Sequence, residues 1–286
     1  MKRVRFLESF KSRRGVRVPS KRRSRKTEGS PNRRAFFEPL EARRLLIVGA
    51  FEFPALVEPG QGYDGVVELN NNGCSGSLML SSRHILTAAH CVDSDGDGAA
   101  DNANYNVTFN LFGTDDVTHR VPGANVTVHG GWNGTTTLGH GNDIALLELP
   151  EIAPLEAERY PIYRNNNEVG QTYIQIGYGR TGTGNNTNLQ GSAEKRIGFN
   201  TFDSAVIGAG LALQSDFDTP PGAPAGSVSN NEAMSAPGDS GGPFFLTGSV
   251  AAVTSYSLDG DNDNDFRTFG DLENNTRVSS YAGWID

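Results

Sequence analysis

Apolar residues fall along this chain in short β-branched or aromatic runs, each closed by Gly, Asn or Asp. Examples are "GVVELN" at 65–70, "NVTFNLF" at 106–112, "TYIQIGYG" at 172–179 and "SVAAVTSY" at 249–256. Runs of this length, rich in Val, Ile, Thr, Tyr and Phe and bounded by turn residues, predict strands rather than helices. Helix-favouring runs are scarce, so the pattern predicts an all-β chain of many short strands joined by tight turns. At 286 residues it is long enough for one large unit or two smaller ones with a real core. No stretch approaches the ~18 consecutive apolar residues of a membrane span.

Charge changes this picture at one end. The net charge of −8 divides into +12 over residues 1–46 (16 Lys/Arg, 4 Asp/Glu) and −20 over residues 47–286 (9 Lys/Arg, 29 Asp/Glu). The stretch "KSRRGVRVPSKRRSRK" has no apolar periodicity, which predicts a disordered or removable segment over 1–46 rather than part of the fold. A basic arm for nucleic acid is the other reading, and the −20 of the remaining chain, which repels phosphates, counts against it. The segment also lacks the apolar core and small-residue cleavage site of an ordinary signal peptide. Its end, "FFEPLEARRLL" at 36–46, resembles a short motif on exported proteins of planctomycete-type bacteria, which implies export.

Candidate chemistry gathers in three places. In "SAPGDSGGPFF", 235–245, Ser240 sits in a glycine turn whose backbone is free to bend sharply. A serine hydroxyl is a weak nucleophile without a base, an orienting group for that base, and donors aimed at the developing oxyanion. The N–H groups of Gly238 and Ser240 suit the last role. Of the five histidines, His84, His90, His119, His129 and His140, one closes an apolar strand in "LTAAHC". The small residues beside His90 leave room for another backbone or a substrate. Asp143 heads the apolar run "NDIALLEL", where a solvated surface charge is hard to explain and a buried acid needs hydrogen bonds.

The segments "CSGSLMLSSRHILTAAHC", "NDIALLEL" and "GDSGGP" occur in the order His, Asp, Ser, and in that order they resemble the trypsin/chymotrypsin family of serine proteases. "GYGRTGTG" at 177–184, "TSYS" at 254–257 and "TRVSSYAGWI" at 276–285 extend the likeness over about 47–286. The resemblance implies two antiparallel Greek-key β-barrels and a short C-terminal helix, with 47–154 as the first barrel and 155–286 as the second. It implies His90 as base, Asp143 as its orienting acid, Ser240 as nucleophile, and Gly238 and Ser240 as oxyanion donors. Ser255 is expected to hydrogen-bond Asp143, and Ser255, Tyr256 and Ser257 to pair with substrate as an added strand. Cys74 and Cys91 match the family's most widespread disulfide, which implies an oxidising, secreted or cell-envelope location. The bridge beside the nucleophile is absent, with Ala236 at that position, so packing alone is expected to hold the walls of the specificity pocket.

The family implies protein or peptide substrates, no cofactor for catalysis, no nucleic acid, and a monomer. A catalytically silent homologue used as a binding module is the alternative. Many family members are zymogens whose new N-terminus pairs with the acid before the serine. Ile47 is the candidate terminus and Asp239 its partner, although Leu46 precedes the bond and Ala50 replaces a glycine. Six residues before Ser240, where trypsin carries Asp, stands Met234, which points to small or medium apolar substrate residues. Ser257 replaces the glycine that usually opens the pocket mouth. Glu273, counted back from "TRV", is a candidate for the pocket wall that would favour a basic residue instead. Finally, "DSDGDGAADNAN" at 93–104 resembles a calcium loop, with Asp93, Asp95, Asp97 and Asp101 as candidate ligands and Asn104 in place of the closing Glu.

Overall fold

The computed structural model describes residues 48–49, 54–69, 73–184, 186–191, 194–218, 232–262, 264 and 266–286. The basic segment 1–46, its export motif and Ile47 lie outside the described residues.

The strands begin with β1 (Val48–Gly49), β2 (Ala55–Leu56), β3 (Val66–Leu69), β4 (Cys74–Leu78), β5 (His84–Thr87) and β6 (Asn104–Phe109). Next come β7 (Val117–Pro122), β8 (Val126–Val128), β9 (Ala145–Glu148), β10 (Thr172–Gly177), β11 (Thr181–Thr183), β12 (Asn186–Gln190) and β13 (Arg196–Thr201). The last are β14 (Ser204–Val206), β15 (Ala212–Asp216), β16 (Ala233–Met234), β17 (Pro243–Leu246), β18 (Ser249–Leu258) and β19 (Leu272–Arg277). One short helix, α1 (Ala282–Ile285), follows a turn of 3-10 helix at Val278–Tyr281. The all-β expectation and the short C-terminal helix both hold.

Two large antiparallel sheets curl into the two barrels. The first runs β7-β6-β3-β4-β5-β9-β8 and uses only strands between residues 66 and 148. The second runs β14-β15-β19-β18-β17-β10-β13-β2. A four-stranded ribbon, β12-β11-β1-β16, lies outside both and carries a parallel pairing of β1 with β11. β1 also pairs with β16, setting Val48 opposite Met234. The strands at 48–56 therefore join strands from the later part of the chain.

The sheets curl because each presents one apolar face to a shared interior. Val67, Ile85, Val107, Leu147 and Phe109 are buried from the first sheet, and Phe245, Val250 and Val253 from the second, in one continuous core. Tyr160 packs edge-on against Phe245 at 4.8 Å between ring centres. A smaller aromatic nucleus of Tyr173, Phe202 and Phe244 fills the second barrel.

Candidate active site

β5 is followed by two fully buried alanines, Ala88 and Ala89, and the chain turns through a single 3-10 loop, Ala89–Cys91, that carries His90. The loop is pinned by a disulfide from Cys91 to Cys74 on β4. Closing a loop of 17 residues contributes about 3 kcal/mol on the chain-entropy account.

Asp143 precedes β9 and is 1% exposed. Its carboxylate accepts the His90 backbone N–H at Oδ1 (2.9 Å) and meets His90 Nδ1 at Oδ2 (2.8 Å). Ser255 Oγ donates to the same Oδ2 at 2.5 Å. From β19, Thr276 Oγ1 donates to the Asp143 carbonyl at 2.8 Å. Burial works to raise the Asp143 pKa, but His90 and Ser255 outweigh it and hold the group below the ordinary carboxylate value. Burial likewise pushes His90 down, and the Asp143 charge and hydrogen bond reverse this, leaving its pKa above the usual histidine value. With Nδ1 donating to Asp143, the neutral ring presents Nε2 as a proton acceptor.

Ser240 lies in a turn fixed from both sides. Its carbonyl accepts the Ser75 N–H at 2.7 Å, and Ser75 Oγ donates to the Gly238 carbonyl at 2.9 Å. Gly241 N–H donates to the Thr254 carbonyl, and Thr254 N–H to the Gly242 carbonyl, both at 2.9 Å. Gly241 has φ +80°, and a Cβ there would fall 2.0 Å from Thr87 Oγ1 and 3.0 Å from the Ala88 nitrogen. Only glycine lets the Ser240 turn press against the residues leading into His90. Among the described residues no hydrogen bond joins Ser240 Oγ to His90; such contacts are often long without substrate and tighten when it binds. The N–H groups of Gly238 and Ser240 donate to no acceptor among the described residues, as an oxyanion site requires.

Asp239 is wholly buried behind this turn, with its carboxylate accepting N–H from Gly179 and Ala236 at 2.8 Å each. A Cβ on Gly177 would meet that carboxylate at 2.1 Å, so the "GYG" glycines exist to let it in. Burial raises the Asp239 pKa to about 6 despite those donors and the charges of Arg267 and Arg196. Its expected partner, Ile47, lies outside the described residues.

The segment around Ala236 is not held by packing alone. Arg267 Nε donates to the Ser235 carbonyl at 3.1 Å, and Phe269 stacks on Phe217 at 5.2 Å. A polar clasp and an aromatic stack stand where the resemblance would put a disulfide. Met234 is buried beside Phe217 and Ala236. Tyr256 accepts an Asn274 Nδ2–H at 2.9 Å, and Ser257 stands opposite Glu273 across β18 and β19.

Of the calcium candidates, Asp93, Asp95 and Asp101 each bring one oxygen within 4.8 Å of the others. Asp97 stays outside that group, with its Oδ1 accepting the Ala99 N–H. Both oxygens of buried Asp93 accept backbone N–H groups, from Gly96 and Gly98.

The residues that sequence reasoning missed are Ser75, Thr276 and Arg267. Each acts through contacts 100 or more residues away, or across a loop, and none carries a local signal.

Known proteins bear on this geometry. A sequence model of a family described as Trypsin matches residues 57–285. A fibrinolytic enzyme, isozyme C, of Lumbricus rubellus is 34% identical over 222 residues, covering 73% of this chain and 86% of that protein. A trypsin of Tyrophagus putrescentiae, Tyr p 3.0101, is 28% identical over 221 residues, covering 74% and 70%. A mutant of human heparin binding protein superposes with a TM-score of 0.58 at 19% identity, over 84% of this chain and 95% of its own, which shows the shared fold. This chain belongs to the trypsin family of serine endopeptidases.

Proposed function

We propose that this trypsin-fold endopeptidase cleaves peptide bonds through Ser240, His90 and Asp143, by way of an acyl-enzyme. The observation that carries the reading is the buried Asp143 carboxylate, which takes two donors from His90 and a third from Ser255. A buried anion so placed has a clear chemical purpose: it fixes the His90 tautomer and stabilises the imidazolium that forms when the ring takes the serine proton. The Ser240 oxygen then attacks the carbonyl, and the oxyanion falls to the N–H groups of Gly238 and Ser240. Each such donor contributes roughly 2.7–4 kcal/mol to the transition state. His90 returns the proton to the leaving amine, and water, activated by the same ring, releases the acyl group.

Substrates pair as an added strand along Ser255–Ser257. The Cys74–Cys91 bridge favours a secreted or cell-envelope protein. No helix among the described residues is long and apolar enough to cross a membrane.

A fluorophosphonate probe tests the reading. Covalent labelling of the wild-type chain, lost together with peptide hydrolysis in Ser240→Ala, is the expected outcome. An unlabelled wild type with no hydrolysis would leave the silent binding homologue in its place.

A further inference from the structure

The two residues before Asp143 both take left-handed backbone conformations, Gly141 with φ +81° and Asn142 with φ +66°. Glycine does this freely, but a residue with a side chain keeps such a conformation only where its surroundings hold it. Asn142 is held at every polar group it has. Its N–H donates to Tyr281 Oη at 2.9 Å, and its Oδ1 accepts the same hydroxyl at 3.3 Å. Its Nδ2 donates to the Gly131 carbonyl at 3.1 Å, and its carbonyl accepts the Ile144 N–H at 2.9 Å.

Tyr281 reaches this turn across 139 residues of sequence. It closes the 3-10 turn Val278–Tyr281 just before α1 and is 4% exposed. Its ring meets His129 edge-on at 5.1 Å, and Trp284 of α1 meets the same imidazole at 5.2 Å. His129 donates its N–H to the Ile144 carbonyl at 3.1 Å and accepts the Gly131 N–H on Nδ1 at 3.2 Å. The hydroxyl is thus aimed by packed rings that are themselves tied to both flanks of Asn142. Burial raises the Tyr281 pKa, and the nearby Asp143 charge adds to this, so the hydroxyl keeps the proton it donates.

Asp143 has to meet two donors of His90 at once, the backbone N–H at Oδ1 and the ring at Oδ2. Both bonds form only if the backbone beneath the carboxylate is fixed. Thr276 fixes the carbonyl of Asp143. The peptide on its other side depends on Asn142, whose relaxation out of the left-handed region would swing the carboxylate away from one donor or the other.

We propose that Tyr281 is a positioning residue for the His90–Asp143 pair: its hydroxyl locks Asn142 in the left-handed conformation and so sets the angle at which the Asp143 carboxylate meets the imidazole. The proposal rests on the endopeptidase reading above. Tyr281 acts through Asn142, with no hydrogen bond of its own to His90, Asp143 or Ser240 among the described residues.

The test is Tyr281→Phe, which removes the hydroxyl and leaves a ring against His129 and Trp284. On a peptide amide, well below the melting temperature, kcat is expected to fall about tenfold with KM little changed. A looser Asp143 raises the His90 pKa less, so the acidic limb of the pH profile is expected to move to lower pH. In proton NMR the low-field signal of the Nδ1–H shared with Asp143 is expected to move upfield. Two further variants read the backbone itself: Asn142→Ala, which resists a positive φ, is expected to lose more kcat than Asn142→Gly, which does not. An unchanged kcat in Tyr281→Phe, a lowered kcat with the acidic limb in place, or equal losses in the two Asn142 variants would overturn the Tyr281 assignment alone. A wild type that neither labels with fluorophosphonate nor cleaves would overturn the endopeptidase reading, and the Tyr281 assignment with it.

Discussion

Ser255 donates its hydroxyl to Asp143 across 112 residues of sequence, and it does so from a β-bulge. The register of β18 against β19 shifts between Thr254 and Tyr256, leaving Ser255 as the extra residue. A regular strand alternates its side chains strictly; a bulge breaks that rule and re-aims one of them. Strand β18 uses this to serve two purposes, pairing with β19 while turning one hydroxyl onto the acid beside His90. Ser255→Ala would remove one of three donors to a buried carboxylate, a loss of about 1.5–3 kcal/mol. We expect a fall in kcat of roughly tenfold or more with KM little changed, since the bond orients Asp143 and not the substrate. Steady-state kinetics on a peptide amide give the split.

The pH profile should report the pairing of His90 with Asp143. The proposed mechanism needs the neutral ring, and Asp143 raises its pKa above the ordinary value. Activity is therefore expected to fall on acidification with a midpoint above that of an isolated histidine. Asp143→Asn removes the charge that raises it, so the acidic limb should move to lower pH while kcat drops by about 10⁴-fold, the cost of losing the tautomer and the charge together. A limb that stays in place in this variant would assign the titration to another group.

Much of this was legible in the chain. The His90, Asp143 and Ser240 segments announce themselves because each puts a polar group in an apolar or glycine-rich setting that ordinary packing does not call for. Short runs ending in Gly or Asn located the strands for the same local reason. What was not legible depends on pairings that no local pattern encodes. The clasp of Arg267 on Ser235 replaces a missing disulfide through a single side chain at the far end of a loop. Ser75 fastens the Ser240 turn from 165 positions away, through its backbone N–H and its hydroxyl. Glu273 was visible as a candidate only by counting, and its burial and half-made hydrogen bonds come from three strands meeting.

The acidic loop after His90 makes a prediction about stability. One oxygen from each of Asp93, Asp95 and Asp101 converges within 4.8 Å, and Asp97 and Asp101 add like-charge repulsion to the burial that raises the Asp93 pKa. A calcium ion would relieve that repulsion, with only three carboxylates and Asn104 in place of the closing Glu, so binding should be weak. In a Ser240→Ala background, which prevents self-digestion, millimolar calcium is expected to raise Tm by a few degrees and EDTA to reverse it. Tm unchanged by either would remove calcium from this loop.

The same inactive background exposes the cost of Glu273. Its pKa in the fold is about 7, against an ordinary 4.5, with burial as the main cause. Between those values the folded state binds a proton that the unfolded chain has lost, so stability falls as pH rises from about 4.5 to 7 and stays low above it. The shift corresponds to roughly 3 kcal/mol. Glu273→Gln keeps the shape and the acceptor for the Ser235 N–H but has no charge to bury. It is expected to melt several degrees above its parent at pH 8, to converge with it near pH 4.5, and to flatten the decline between them. Asp239, raised to about 6 by the same cause, stays in both proteins and leaves a smaller residual slope. Equal melting temperatures at pH 8 would mean that Glu273 is already neutralised in the free enzyme, most directly by Arg267, and Arg267→Ala in the same background would then lower Tm at pH 8 but not at pH 4.5.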